Sequence, residues 1–403
     1  MSNPDLDEIS SLPTEEPEQE SRWRRVVYGF LERRRAMNHE KNTPEYKEMK
    51  AKIEKMEAAM KASCKIWRKV DIDIAKDVHS KIKTVGEGLL SDPDYSVNNA
   101  YLDQNMRLNR YKSQIPFDHN RVVLDTKNGE LTDYINASYI KIGDTTRYIA
   151  AQAPMHRTLP DWWKMIYDKN INVVVMLCME IEKGQNKSST YWPFDIMQYR
   201  KIGCHKIVMT EKRIYDQHDY VVRTLQVQKL NSPEPAHTVY QLQYRKWPDH
   251  SVPESIEQLL KVVHVAQSFY EVAGSTGQML VHCSAGVGRT GTFIVIHHIR
   301  EQLRLLQYKG IIVAELVSEL RTQRAYMVNE KQFHFLYKCL VTMFSLWLEQ
   351  KKFPELGPEE YELVIVPQKG HLREAYIEVE DGCLIDIVVK KKTMVGINFS
   401  SDI

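Results

Sequence analysis

One cysteine and one arginine, six positions apart, stand in the run Val281-His282-Cys283-Ser284-Ala285-Gly286-Val287-Gly288-Arg289-Thr290-Gly291. Small residues bridge them, an apolar run precedes them (Met279 to Val281), and a helical pattern follows (Thr292 to Ile299). A strand, a tight loop and a helix start form a cradle for a tetrahedral oxyanion, because backbone N–H groups point inward and the helix dipole favours negative charge. Gly286 and Gly288 permit backbone conformations that a Cβ forbids. Arg289 closes the cradle with a planar fork suited to phosphate. Such a field favours the thiolate of Cys283, and a thiolate beneath a bound phosphate is a nucleophile aimed at phosphorus. A structural cysteine beside a glycine-rich turn is the weaker reading, since Cys and His are rare residues and the spacing is tightly constrained.

The run matches, residue for residue, the signature of the cysteine-dependent protein tyrosine phosphatases, and the chain resembles that family. Dual-specificity, lipid and low-molecular-weight phosphatases share only the shorter Cys-x5-Arg core. Trp247-Pro248-Asp249-His250 resembles the family's mobile acid loop. The resemblance makes Asp249 the proton donor to a poorly leaving phenolate, and then the base for the water that cleaves the phosphocysteine. Asn109-Arg110-Tyr111 followed by Pro116-Phe117-Asp118-His119 resembles the substrate-recognition loop. There Tyr111 stacks on the substrate ring and deepens the pocket, so that phosphotyrosine reaches the thiolate and the shorter phosphoserine does not. The phosphate itself is held by Ser284, Ala285, Gly286, Val287, Gly288 and Arg289. Further landmarks follow in order: Asp133 to Ser138, Gln152-Ala153-Pro154, Asp161-Trp162-Trp163, Glu182-Lys183-Gly184, Lys187 and Tyr191-Trp192-Pro193. By resemblance Glu182 holds the guanidinium of Arg289 and Lys187 sits near the acid loop. His282, Trp247 and Thr290 support the site, Thr290 by hydrogen-bonding the departing thiolate. The resemblance covers about residues 90 to 347.

Four departures from the family pattern bear on mechanism. Ser251 stands where glycine usually follows Trp-Pro-Asp-His, and a Cβ stiffens the loop if that position needs positive φ. Ser113 replaces the Asp or Asn that holds the peptide backbone. The segment from Arg324 to Gln332 is one residue short, so either Asn329 or Gln332 positions the hydrolytic water; the longer Gln332 is preferred. Ser188 stands where many members carry a second cysteine.

The elements that must position these residues are visible as apolar patterns. Strands are expected over Arg147 to Ala151, Val173 to Leu177, Ile207 to Thr210, Tyr220 to Val227, Thr238 to Tyr244 and Met279 to Val281. Helices are expected over Leu159 to Asp168, Ser255 to Val272, Thr292 to Gln307 and Gln332 to Glu349. Their intermixing without strict alternation indicates an α/β fold, a highly twisted mixed β-sheet flanked by helices, which is also the fold that the resemblance implies.

The chain has 403 residues, 43% hydrophobic and 27% charged, enough for one large domain with appendages. Residues 1–21, with seven acidic and no basic residues among the first twenty, read as an acidic disordered tail. Residues 22–89 read as a basic helical extension: Arg22-Trp23-Arg24-Arg25 and Arg33-Arg34-Arg35 flank an apolar stretch, and Pro44 opens a helix. Its apolar positions Tyr46, Met49, Ile53, Met56, Met60 and Trp67 suit packing on the catalytic domain; an anionic membrane or a protein partner for residues 22–83 is the alternative. Residues 90–350 are the expected catalytic domain, and 351–403 a small β-rich appendage with strands at Tyr361 to Val366, Tyr376 to Val379, Cys383 to Val389 and Met394 to Ile397. Six scattered cysteines and the absence of a leader pattern suit a reducing, cytoplasmic compartment. The net charge of +2 gives no reason to expect nucleic acid.

The sequence thus points to a non-receptor protein tyrosine phosphatase acting on phosphotyrosine proteins through a phosphocysteine. No metal or organic cofactor is needed, because Arg289 and the loop amides supply the positive field. A phosphotyrosine-binding pseudophosphatase is the alternative, motivated by Ser251 and Asn329-Glu330. A phosphoinositide or phosphoserine enzyme is disfavoured by Tyr111, and by Ala285, Val287 and Gly288 where lipid-directed loops place basic residues.

Overall fold

A computed structural model of the chain describes residues 44–126, 132–143, 145–215, 219–274, 277–350, 365–368, 376–379 and 383–387. Helices α1 (Pro44–Trp67) and α2 (Ile72–Leu89) come first, followed by the single turn α3 (Asp103–Met106). Strands β1 (Arg121–Val123), β2 (Tyr134–Ile142) and β3 (Thr145–Ala151) lead to helix α4 (Leu159–Asp168) and strand β4 (Val173–Met176). A two-stranded ribbon, β5 (Ile181–Glu182) and β6 (Gln185–Asn186), precedes β7 (Tyr199–Ile202), β8 (His205–Tyr215), β9 (Tyr220–Lys229) and β10 (His237–Tyr244). Then come α5 (Ile256–Val272), β11 (Met279–His282), α6 (Gly288–Arg304), α7 (Val313–Gln323) and α8 (Glu330–Gln350).

The large sheet runs in the order β1-β2-β3-β11-β4-β10-β9-β8-β7. Its four central strands β3, β11, β4 and β10 are mutually parallel, and both flanks are antiparallel. The centre is apolar on both faces, as parallel strands covered by helices must be. Alternation decides which core each residue enters. Val173, Val175, Met279 and Val281 join the core beneath α5, α6, α7 and α8, while Val174, Met176 and Leu280 join the core of Trp162, Trp163 and Met165 from α4. The strands and helices expected between Arg147 and Glu349 are all present, several extended at their ends. Strands β1, β2 and β7 and helix α7 go beyond the expectation, while α2 falls within the stretch 22–89 read as helical. In β2 the apolar alternation is interrupted because Asn136 and Ser138 are buried polar residues.

Parallel strands share one C-terminal edge, and loops at that edge converge. Here β3 runs into Gln152-Ala153-Pro154, β4 into the β5–β6 ribbon, β10 into Trp247-Pro248-Asp249, and β11 into Cys283. One sheet edge therefore delivers most of the candidate site residues.

Helix α1 starts at Pro44 as expected and buries Met56, Met60, Cys64 and Trp67. Trp67 packs against Phe344 and Tyr337 of α8, with ring centroids 5.2 and 6.4 Å away. Of the helical extension, α1 thus packs against α8. Helix α2 is capped by Asp71, which accepts from the N–H groups of Asp73 and Ile74. The acidic tail and the arginine-rich stretch, residues 1–43, lie outside the described residues. Near the other end, β12 (Ile365–Gln368), β13 (Tyr376–Val379) and β14 (Cys383–Ile387) form an antiparallel sheet in the order β12-β14-β13, in line with the expected β appendage. The strand expected at Met394 to Ile397 lies outside the described residues. Among the described residues, no helix is long and apolar enough to cross a membrane.

Candidate active site

Cys283 follows β11 directly and is buried, 5% exposed. Its Sγ accepts the N–H of Gly286 at 3.3 Å. Gly286 has φ 71°, and a Cβ there would lie 2.1 Å from the Ala151 carbonyl oxygen at the end of β3. No other residue fits that turn. Helix α6 starts at Gly288, so its positive dipole end faces the loop. Ser284 is tied down on three sides. Its carbonyl accepts from Ala153 N at 3.0 Å, its hydroxyl donates to the Lys187 carbonyl at 3.2 Å, and Tyr111 Oη lies 2.9 Å from its Oγ. Tyr111 is thus held to the cysteine loop itself.

Arg289 is buried, and its fork meets Glu182 with Nη1–Oε1 and Nη2–Oε2 distances both 2.6 Å. Nη1 also donates to the Leu177 carbonyl at 2.9 Å. Burial opposes the charge, but the Glu182 bonds and the neighbouring Cys283 outweigh it and raise the guanidinium further. Glu182 reaches Arg289 because the β5–β6 ribbon turns through Lys183 (φ 51°) and Gly184 (φ 76°), a tight hairpin turn with both central residues left-handed.

Asp249 reaches the same guanidinium from the acid loop, accepting from Arg289 Nη2 at 2.8 Å and from Lys187 Nζ at 2.7 Å. Burial pushes its carboxyl up; the Lys187 hydrogen bond and the Arg289 charge outweigh that and hold it below the ordinary carboxylate range. Lys187 is correspondingly raised, chiefly by its hydrogen bond to Asp249. The acid loop is clasped by buried Trp247, whose Nε1 donates to the Ser251 carbonyl at 3.0 Å. Ser251 does not occupy a left-handed conformation, so the condition under which its Cβ would stiffen the loop is not met. The left-handed residue of the loop is His250, at φ 54°.

Asn329 and Gln332 share one capping box at the start of α8. Gln332 N donates to Asn329 Oδ1 at 2.9 Å, and Asn329 N donates to Gln332 Oε1 at 3.1 Å. Gln332, 1% exposed, also lies against the cysteine loop and the acid loop. A Cβ on Gly288 would meet its Oε1 at 2.8 Å, and its Nε2 makes a long 3.4 Å contact to the Ser251 carbonyl. Val287 supplies a carbonyl that accepts Gly291 N at 2.9 Å. His282 is fully buried with Nε2 3.0 Å from Tyr191 Oη, and burial above all drives its pKa down to about 3, so the ring is neutral. Thr290 Oγ1 is buried with no hydrogen-bond partner among the described residues.

Arg324 also belongs to the site, although only its segment drew attention in the sequence. Fully buried, it donates to the carbonyls of Gly286 (2.8 Å) and Ala285 (3.0 Å), to Ser138 Oγ (3.1 Å) and to Asn136 Oδ1 (2.6 Å). Drawing the loop carbonyls backward turns the loop N–H groups inward. Burial lowers Arg324 to about 10, which leaves it charged near pH 7 behind the cysteine loop. The readable signal was the polar pair Asn136 and Ser138, two apart and on one face of a strand, which need a buried partner. The recognition loop is fixed by similar means: Gln152 accepts from Arg110 N and donates to the Leu108 carbonyl, both at 2.8 Å.

A buried cysteine in an amide cradle, a clamped arginine and a carboxylic acid on a separate loop, at one edge of a mixed sheet, define a cysteine-dependent phosphatase class. Residues 105–342 match the family profile "Protein-tyrosine phosphatase", and the chain belongs to that family. It is 35% identical over 248 residues to human tyrosine-protein phosphatase non-receptor type 20, covering 60% of this chain and 56% of that protein. Mouse non-receptor type 18 is 36% identical over 250 residues, covering 61% of this chain and 53% of the relative. Human receptor-type phosphatase eta is 31% identical over 322 residues, 78% of this chain and 23% of the relative. The crystal structure of the human non-receptor type 18 catalytic domain superposes with a TM-score of 0.64 at 31% identity, covering 70% of this chain and 99% of that one. The type 18 enzyme in complex with a HER2 phosphopeptide gives 0.62 at 32% identity, covering 67% and 99%.

Proposed function

We propose that this chain hydrolyses phosphotyrosine in proteins in two covalent steps, with Cys283 as nucleophile. The observation that carries the reading is the shared guanidinium of Arg289, clamped by Glu182 on one side and paired with Asp249 on the other. Nucleophile loop, phosphate clamp and acid meet around one planar group.

An arriving phosphate dianion competes with Asp249 for Arg289. Losing that cation and gaining a nearby dianion raises the carboxyl, so it can hold the proton that the phenolate needs. Cys283 Sγ then attacks phosphorus, the P–O(aryl) bond breaks, and the Asp249 proton goes to the leaving oxygen. Arg289 and the loop amides take the charge on the equatorial oxygens. In the second step Asp249, now a carboxylate, takes a proton from water as its oxygen attacks phosphorus, and the cysteine leaves as thiolate. The Thr290 hydroxyl is a donor for that thiolate, with no competing partner among the described residues. Gln332 is the better placed of the two water-holding candidates, because besides its share in the capping box its amide lies against both Gly288 of the cysteine loop and the Ser251 carbonyl of the acid loop.

Tyr111, held against Ser284, supports selection for a long aryl phosphate. Phosphotyrosine proteins are the substrate class, in keeping with the type 18 relative seen with a phosphopeptide. The thiolate chemistry requires a reducing compartment. The unstrained Ser251 removes one motive for a binding-only reading. The test is phosphate release from a phosphotyrosine peptide, a phosphothreonine peptide and a phosphoinositide, measured side by side. The phosphotyrosine peptide is expected to lead in kcat/KM by roughly 10³-fold or more. Comparable release from the phosphoinositide would contradict the reading.

A further inference from the structure

We propose that His79, on helix α2, is a positioning residue for hydrolysis of the phosphocysteine, acting through the peptide plane between Val328 and Asn329 on Gln332. The proposal rests on the two-step reading above.

Val328 has φ 59°, a left-handed conformation that β-branched residues strongly avoid, and Tyr326 two positions earlier has φ 66°. Such a backbone persists only where its surroundings over-determine it. Val328 is fully buried, and its N–H points to the Val287 carbonyl of the cysteine loop at 3.4 Å. Its Cγ2 and N lie 3.1 Å from where a Cβ on Gly291 would sit, so it presses on the first turn of α6. Two side chains anchor its carbonyl oxygen: Arg321 Nη2 donates at 2.8 Å, and His79 Nε2 lies at 3.1 Å. Arg321 Nε also donates to the Met327 carbonyl at 2.9 Å.

A peptide unit is rigid and planar. Fixing the Val328 carbonyl therefore fixes the direction of the Asn329 N–H in the same plane. That N–H donates to Gln332 Oε1, and Gln332 lies between Gly288 and the Ser251 carbonyl. The relay is short: His79 sets the plane, the plane sets the Gln332 amide, and that amide faces both loops that act in the second step.

Docking of α2 alone does not need an imidazole. Its buried row is Ala75, His79 and Ile82, and an apolar residue at the middle position would be desolvated at no polar cost. Arg321 of α7, Glu330 of α8 and Lys83 of α2 act on the ring, which also lies 5.8 Å from the Phe333 ring. Burial foremost, with the Arg321 charge, holds its pKa below the ordinary value against the pull of the Val328 carbonyl, so the ring is neutral near pH 7. Its Nε2 also lies 2.9 Å from Arg321 Nη2. With the proton on Nε2 the ring donates to the Val328 carbonyl, and with the proton on Nδ1 it accepts from the arginine that itself donates to that carbonyl. Either tautomer ties the Val328 carbonyl, directly or through Arg321.

The test is rapid-quench kinetics of the full chain on a ³²P-labelled phosphotyrosine peptide. In His79→Ala, and in His79→Phe, which keeps a ring against Phe333, phosphoenzyme is expected to accumulate. kcat should fall roughly fivefold, the worth of one net hydrogen bond, while the rate of phosphoenzyme formation stays unchanged. His79→Gln retains a donor and should restore the wild-type partition. Ile82→Ala, a packing change on the same helix, should lower the thermal midpoint without shifting the partition. An unchanged partition in both donor-less variants, or an equal shift in Ile82→Ala, overturns the role of His79 alone. A wild type that dephosphorylates the peptide without any phosphoenzyme overturns the catalytic reading, and this proposal with it.

Discussion

Arg289 has two anionic partners on one planar group, and one of them, Asp249, is also held by Lys187. Asp249 lies below the ordinary carboxylate range because Lys187 and Arg289 outweigh its burial. A depressed value contributes to loop closure above the unfolded carboxylate pKa of about 4 and is lost as pH falls through the folded value. The loop should therefore stay latched at neutral pH and loosen only in acid. Asp249→Ala is expected to lower kcat by roughly 10²–10⁴ on phosphotyrosine, the usual worth of a general acid. The deficit should shrink on aryl phosphates whose leaving groups need no proton, and the basic limb of the kcat profile should vanish. Equal losses on both substrate types would assign Asp249 a different role.

At the level of elements, the parallel centre of the sheet places the working loops, and two glycines show how closely those loops fit. Gly286→Ala sets a Cβ 2.1 Å from a backbone oxygen of β3, which cannot yield, at a residue with positive φ. Both chemical steps should fail together, with a loss of stability of a few kcal/mol, about what strained backbone and overpacking cost. Gly288→Ala meets only the end of the Gln332 side chain. It should displace that amide and slow hydrolysis of the phosphoenzyme while its formation continues, as single-turnover kinetics can resolve. Equal slowing of both steps would remove Gln332 from the second step. Much of this arrangement was legible: Val173 to Leu177 and Met279 to Val281 read as strands because their apolar runs are short, the first also rich in valine, and the resemblance pointed to Glu182 and Lys187. Arg324 was not legible, since a charged residue at a helix end reads as solvent-facing until its partners across the sheet are known. Nor was the left-handed Val328, because nothing in a valine announces positive φ.

Across the whole molecule, one sheet separates two cores, and the helical extension is built onto the larger of them. The amphipathic row of α1 was readable, and it packs where an apolar face should, through Trp67 on α8. Helix α2 falls within the stretch 22–89 read as helical, but its buried face was not read, because it carries a histidine between Ala75 and Ile82. Its contact with Val328 links the extension to residues that surround Cys283. Everything in the account depends on Cys283 forming a bond to phosphorus. The most direct measurement is acid-quench trapping of the full chain during turnover of a ³²P-labelled phosphotyrosine peptide, followed by mapping of the label. One labelled peptide is expected, modified at Cys283, chased by unlabelled substrate at the rate of turnover and absent in Cys283→Ser, which should still bind the phosphopeptide. Undiminished phosphate release by Cys283→Ser, or turnover by the wild type with no label on Cys283, would contradict it.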